Sequence, residues 1–482
     1  MQKILISILL LAFAISINAV EEPAPAKAVT DTTFMGVKVR QRSSSWQDYN
    51  PERGYFQKAF SDKGDPRFMI ANEDDSFEFG IGGTLRMTGF SDFDGATLHN
   101  RFSVWAIDVP TYKKSHVSIN VATSKLFVKS KAKIGGNRLI SYLELKADEE
   151  NKITLGKAYL SYGGFTAGQT YSFFMDLAAG VQTVDLLGPN TSVDKTHALV
   201  GYSFNAGNWD FGVAAERPDY KASLFSDLHI RNDMQPMPDF AARVSYKNKF
   251  GHIQLSGLAR SLAYWSLDRL LLKSNDIELS SIESLEQEGS SKHEFGYGVA
   301  LSGRINFTDK FFTSFQAVHG KGIHSYINDL GDTQLDLVPK YENDYFAKMQ
   351  RCYRMKALPI TGGYIGLQYN WSEKLTSSMT FGEVYMDIDN FEEMDWNTSY
   401  EDFIKDAKMI DTKNMTYFAV NVFYNINNFC TVGAEFLNGM RWQQNRTTAI
   451  KDSKTGIYHA TSISGKTRGV ANRFDLMFSY SF

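Results

Sequence analysis

Lysine recurs at positions 125, 129, 131 and 133, and Phe127 fills the remaining place in a series that advances by two residues. A step of two is the side-chain period of a β-strand, so the four ammonium groups share one face, opposite Leu126, Val128, Ser130, Ala132 and Ile134. Cations arrayed along a narrow aqueous passage attract anions by several kT and repel other cations. Arg138 and Lys146 extend the array, interrupted by Tyr142 and Glu144, and Lys157 beside Tyr159 continues it. The same phase in other strand-like stretches puts Arg86, Arg243, Arg260, Arg304, Arg441 and Arg473 on the corresponding face, with Glu144, Glu435 and Asp475 as acidic exceptions. Such a face predicts binding of small anionic solutes at Arg86, Lys125, Lys129, Lys131, Lys133, Arg138, Lys157, Arg243, Arg260 and Arg304.

Other chemistries lack their residues. His293-Glu294 has no second His at helical spacing, and the 9 His are scattered, so neither a zinc-protease centre nor another metal site is expected. Gly80-Ile81-Gly82-Gly83 lies inside a strand pattern with no P-loop Lys after it; its small residues are expected to let a sheet curve. Acidic pairs such as Asp74-Asp75 and Glu392-Glu393 read as solvated loop charges, and no nucleophile elbow is visible. No enzymatic activity and no cofactor are expected. With 51 Lys plus Arg against 54 Asp plus Glu, no global basicity points to nucleic acid.

The elements that position these cations are strands. Of the 482 residues, 14% are aromatic and only 2 are Cys, a composition that favours strands without a disulfide framework. In the last thirteen residues Phe474, Leu476, Phe478, Tyr480 and Phe482 alternate with Arg473, Asp475, Met477, Ser479 and Ser481. Comparable alternation predicts strand pairs at 125–134 with 139–147, 152–162 with 165–171, 197–205 with 209–217, and 241–247 with 252–262. Further pairs are predicted at 295–307 with 311–321, 364–371 with 375–387, and 417–426 with 429–441, besides a first strand at 77–90 and a last at 470–482. Short polar turns alternate with long polar stretches at 218–239, 263–294, 322–362, 389–415 and 442–469.

Short turns on one side and long loops on the other are the plan of a transmembrane barrel. The expected fold is therefore all-β: an antiparallel barrel of about sixteen strands, with short periplasmic turns and long extracellular loops, enclosing a water-filled channel. Cations placed against lipid would cost roughly 2–4 kcal/mol each near the midplane, which directs the aromatic face outward. Met1-Gln2-Lys3, the apolar run from Ile4 to Ile17 and Ala19 read as a signal peptide over 1–19, leaving 20–76 as a periplasmic extension and 77–482 as the barrel in the outer membrane of a Gram-negative bacterium. The expected partners are outer-membrane lipids and the barrel-insertion machinery, which by resemblance to bacterial barrels reads the strand ending at Phe482. A barrel enzyme of lipase or protease type, and an adhesin with a sealed lumen, are the alternatives.

The segment 168–194 departs from the hairpin pattern and is too apolar for a solvated outer loop. It is expected to fold inward over about 172–194 and narrow the channel, with Phe173, Phe174, Met175, Asp176, Asp185 and Asn190 as its marked residues. Its sequence, Gly-Gln-Thr-Tyr-Ser-Phe-Phe-Met-Asp at 168–176 and Val-Asp-Leu-Leu-Gly-Pro-Asn at 184–190, resembles the DcaP-like outer-membrane porins. The likeness extends more weakly over 126–202, including Lys-Ala-Tyr-Leu-Ser-Tyr-Gly-Gly at 157–164, and into the C-terminal strand. The resemblance implies a homotrimer of sixteen-stranded barrels that takes up small anions, notably dicarboxylates, through a positively charged constriction. By position Arg86, Lys129, Lys131, Arg138 and Lys157 look like its substrate-facing cations. Members of that family often begin with a coiled-coil-like helix, whereas 20–76 here carries Pro23, Pro25, Pro51 and Pro66 and has no heptads.

Overall fold

The computed structural model describes residues 30–34, 37–41, 68–72, 74, 76–95, 101–111, 115–148, 152–185, 187–220, 222, 230–266, 290–344, 349–388, 412–427, 429–443, 446–451, 458–463 and 468–482. The expected signal peptide lies outside them, as does most of the expected extension. Three short strands of that extension are described: Thr30–Phe34 pairs with Val37–Gln41, which pairs with Phe68–Ala71. The last of these joins the edge of the barrel by pairing with 78–80.

Sixteen antiparallel strands close on themselves. They are β1 (Phe77–Asp94), β2 (His116–Asn120 continued by Lys125–Ile134), β3 (Asn137–Ala147), β4 (Ile153–Tyr162), β5 (Phe165–Tyr171), β6 (Thr196–Ala206), β7 (Trp209–Glu216) and β8 (Asp239–Asn248). Then follow β9 (Gly251–Ser266), β10 (Ser290–Asn306), β11 (Phe311–Lys321), β12 (Pro359–Asn370), β13 (Leu375–Met386), β14 (Thr412–Asn425), β15 (Cys430–Gln443) and β16 (Arg468–Ser481). Each pairs with the next, and β16 returns to β1 from Asn472 opposite Asp94 to Ser481 opposite Thr84. Closure removes the sheet edge, so every strand can sit in hydrocarbon with its backbone groups paired.

The phase of each strand decides its two environments. On β16 Leu476, Phe478 and Tyr480 are exposed outward while Arg473 and Asp475 are buried inward. Val299, Leu301 and Ile305 on β10 and Ile253 and Leu255 on β9 are exposed in the same way. The β2–β3 and β4–β5 reversals use Gly135, Gly136, Gly163 and Gly164 at positive φ, which the tight turns between twisted strands demand. At the seam Gly83 and Phe482 exchange backbone hydrogen bonds of 3.0 and 3.0 Å. A Cβ on Gly83 would lie 2.6 Å from the Phe482 ring, and one on Gly82 2.6 Å from Phe127. The small residues at 80–83 thus clear seats for two rings as well as lying in a curved sheet.

The interior is not an open tube. Segments 101–111, 172–195 and 322–337 fold into the barrel and bury Phe102, Val104, Ile107, Phe173, Phe174, Met175, Ile323, Tyr326, Ile327 and Leu330 in one apolar cluster. Sixteen strands alone imply a wide aqueous bore; here apolar packing fills part of it. The long stretches also hold structure that their composition hides: a hairpin of Leu337–Asp344 with Met349–Ala357 and another of Arg446–Lys451 with Tyr458–Ile463. Cys430 is a free thiol, and the side chain of Cys352 lies outside the description.

Candidate functional site: a lysine wall facing a packed loop

The β2–β4 wall is built from pairs across strands. Glu144 accepts hydrogen bonds from Lys125 Nζ at 3.0 Å, Lys157 Nζ at 3.1 Å and the Tyr142 hydroxyl at 2.9 Å. Lys157 stands directly opposite Glu144 in the β3–β4 register, and the register then skips a residue so that Leu145 faces Leu155. The skipped residue, Gly156, forms a bulge, and a Cβ there would lie 2.7 Å from Glu144 Oε1. Gln169 Nε2 donates to the Leu155 and Gly156 carbonyls, both at 3.1 Å, and holds the bulge in place. Phe127, Tyr142 and Tyr159 stack across the three strands with centroids 5.4 and 5.4 Å apart. Lys131 pairs with Glu78 at 3.7 Å. Lys129 is buried opposite Tyr142, whereas Lys133 and Arg138 face each other, exposed, next to the β2–β3 turn.

The opposite wall is covered by the inward segment 172–195, which runs along it from β7 to β15. Glu216 on β7 accepts from the Ser172 hydroxyl and from the Phe173 amide at 2.7 Å. Gln254 and Ser256 on β9 donate to the Met175 and Phe174 carbonyls. Asp176 reaches His252 at 2.9 Å and the Ser302 hydroxyl at 2.7 Å. Burial alone would raise its carboxyl pKa, but the His252 charge and these hydrogen bonds outweigh burial and hold it below the usual range. Tyr364 on β12 donates to the Ala179 carbonyl, and Ser378 and Asn421 to that of Gln182. Glu435 on β15 accepts the Val184 and Asp185 amides at 3.0 and 2.6 Å. Asp185 accepts the Phe102 amide at 3.0 Å, and Asn190 donates to the Met415 carbonyl.

Apolar contacts use gaps left by inward-facing glycines. Phe173 lies over Gly201 and Gly212, Phe174 over Gly298, and Val181 over Gly366. Phe173, Phe174, Met175, Asp176, Asp185 and Asn190, marked in the sequence, thus form the anchored side of the segment. Segment 322–337 backs it: Asn328 Nδ2 donates to the Leu187 carbonyl, and the Asp194 amide to the Tyr326 carbonyl at 2.9 Å.

The arginines predicted inward are inward, and they bind the wall and the folded segments. Arg260 is fully buried, with Asp239 at 2.9 Å, Asp336 at 3.3 Å and the Tyr326 ring at 5.0 Å. Arg473 grips Asp92 with two bonds of 2.7 and 3.0 Å. Arg243 lies 4.5 Å from the Phe173 ring centroid and 3.8 Å from Asp210, and Arg304 lies 3.4 Å from the Phe312 ring centroid. Arg441 donates to the Trp105 and Ile107 carbonyls, and Arg86 to that of Val184. The sequence-predicted cations therefore divide into fastenings on the loop-covered side and a lysine wall on β2–β4. The acids Glu78, Asp92, Asp210, Glu216 and Asp239 were not read from the sequence, although the phase that selected the arginines also selects them. Among the described residues no group of three or more His, Cys, Asp or Glu could hold a metal ion.

The family model described as "Porin subfamily" matches residues 117–455. Among solved structures, the outer membrane channel DcaP of Acinetobacter baumannii aligns with a TM-score of 0.60 and 17% identity, over 86% of this chain and 99% of that one. OmpT of Vibrio cholerae aligns with a TM-score of 0.48 and 12% identity, over 85% of this chain and 98% of that one. No curated protein matches the sequence. The likeness to DcaP is one of fold, and it agrees with the resemblance carried by 168–176. The closed barrel and the family match make the protein a channel of the Gram-negative outer membrane. The chain belongs to the porin subfamily.

Proposed function

We propose that this porin passes small anionic solutes, dicarboxylates among them, between the lysine wall of β2–β4 and the inward segments opposite. The observation that carries the reading is asymmetry of the lining. Segment 172–195 is fastened along β7–β15, while Lys125, Lys129, Lys131, Lys133, Arg138, Lys146 and Lys157 crowd the other arc, with Glu78, Glu144 and Asp194 as the acids beside them among the described residues. Excess positive charge beside confined water raises local anion concentration and penalises cations. Residues 1–19 act as a signal peptide, 20–76 lie in the periplasm, Phe482 closes the strand read by the insertion machinery, and the channel works as a homotrimer among outer-membrane lipids. A barrel sealed by its inward segments is the competing reading, favoured by the buried cluster of Phe102, Phe174 and Ile327.

Planar-bilayer recording decides. Conductance steps with a reversal potential on the anion side in a salt gradient are expected. Folded protein without steps would establish the sealed barrel, and cation preference would refute the anion reading. K129E/K131E should reduce or reverse the preference; unchanged selectivity would remove that part of the wall from the filter.

A further inference from the structure

The Glu144 carboxylate sits between two ammonium groups and a hydroxyl at 3.0, 3.1 and 2.9 Å, the arrangement in which a solute carboxylate would be held. The surroundings are shaped for it. The bulge at Gly156 and that residue's missing Cβ leave room for the carboxylate, Gln169 fixes the bulge, and Lys157 is further held by the Tyr171 ring 4.3 Å away. Lys157 and Glu144 are almost wholly buried, at 6% and 5% side-chain exposure, whereas Lys125 keeps 22% and is the more accessible of the two lysines.

We propose that Glu144 is a specificity-determining residue, a tethered counter-ion that competes with passing anions for Lys125 and Lys157 and so sets how strongly the wall attracts them. The proposal rests on the anion reading above. With Glu144 in place the two lysines hold a resident carboxylate, and solute binding is weak enough to permit release. Without it Lys125, the more exposed of the two, loses its counter-charge, while Asp194 remains near Lys157.

The test uses the full-length channel in planar bilayers, with KCl gradients and succinate as the probe. E144Q is expected to raise the anion-to-cation permeability ratio about threefold, the effect of removing one unit charge within a few ångströms of screened, aqueous ions. Succinate should also block the KCl current at lower concentration, and both shifts should shrink in high salt. G156A keeps every charge but forces the carboxylate off its seat, and should move both readouts the same way by less. A folded E144Q channel with wild-type reversal potential and wild-type succinate block overturns the proposal. Should E144Q not fold, wild-type values in G156A overturn it instead. The wild-type reversal potential separately tests the anion reading, because the E144Q shift is measured relative to wild type whatever its starting sign.

Discussion

Replacing Glu435 by Ala tests whether inward segment 172–195 is held by the barrel wall or merely rests against it. The Glu435 carboxylate accepts the backbone amides of Val184 and Asp185 at 3.0 and 2.6 Å and the Asn421 side-chain amide at 2.7 Å. These groups are buried, so truncation leaves two segment amides with no acceptor. Each unmade bond costs about 1–3 kcal/mol, or about 2–6 kcal/mol for the pair. Relief of the crowding between Glu435 and Asp185 offsets part of this, which favours the lower end. At about 1.4 kcal/mol per tenfold change, 2 kcal/mol raises the local opening equilibrium about 30-fold. Hydrogen exchange at Val184 and Asp185 should accelerate by that factor, while amides on β9 and β10 keep their protection. Single-channel records should show a larger and noisier conductance. E435Q, which keeps one acceptor oxygen, should lie between. Exchange at both amides within threefold of wild type, in a folded E435A channel, would show that the wall does not hold the segment through Glu435 and would refute the argument.

Two further perturbations address the same packing. G366A places a Cβ 2.2 Å from Val181 Cγ1 and should lower thermal stability by about 1–3 kcal/mol and alter conductance; G366A/V181A should recover most of both, and no recovery would mean the glycine serves something other than Val181. Asp329 is buried between Ser103 and the Trp105 amide, and burial outweighs those hydrogen bonds and the Arg101 charge to raise its carboxyl to about 7, so an acid whose packed-state pKa is raised stabilises the packed arrangement below its free value near 4 and loses that contribution as pH rises to about 7, a span worth about 4 kcal/mol. Conductance should therefore rise between pH 4 and 7 as 101–111 loosens, and D329N should weaken the dependence; an unchanged pH profile in D329N would assign it to other groups.

The strands and their phase were legible in the sequence because a two-residue period is local. Phe474 to Phe482 reports which side of β16 meets lipid without knowledge of any neighbour, and burial of Arg473 and Asp475 follows from it. The inward turn of 172–195 was legible from composition, since Phe173, Phe174 and Met175 together are too apolar for solvent. Segments 101–111 and 322–337 were not, although Phe102, Ile107, Ile323 and Leu330 are equally buried. Their burial depends on gaps created elsewhere: Phe102 and Ile107 pack at Gly439, and Ile323 at Gly298 and Gly320. Nothing local distinguishes a glycine that seats a distant ring from one that relaxes a strand. Partners of the arginines were hidden for the same reason, since Arg473 meets Asp92 only once the first and last strands close the barrel.

Two arcs of the lumen differ in what their inward faces offer. On β6–β15 the inward face offers glycine, alanine and hydrogen-bonding groups, and these accept three folded segments whose apolar side chains would otherwise face water. Burial there is driven by removing apolar area from solvent, and arginines such as Arg260 are matched to acids because an unpaired charge in a packed interior is costly. On β2–β4 the inward face offers long cationic side chains and stacked rings. Lysines crowded on one arc repel one another, and among the described residues Glu78, Glu144 and Asp194 offset that repulsion. The passage proposed beside β2–β4 thus depends on the distribution of glycine, which seats the segments opposite, as much as on that of lysine.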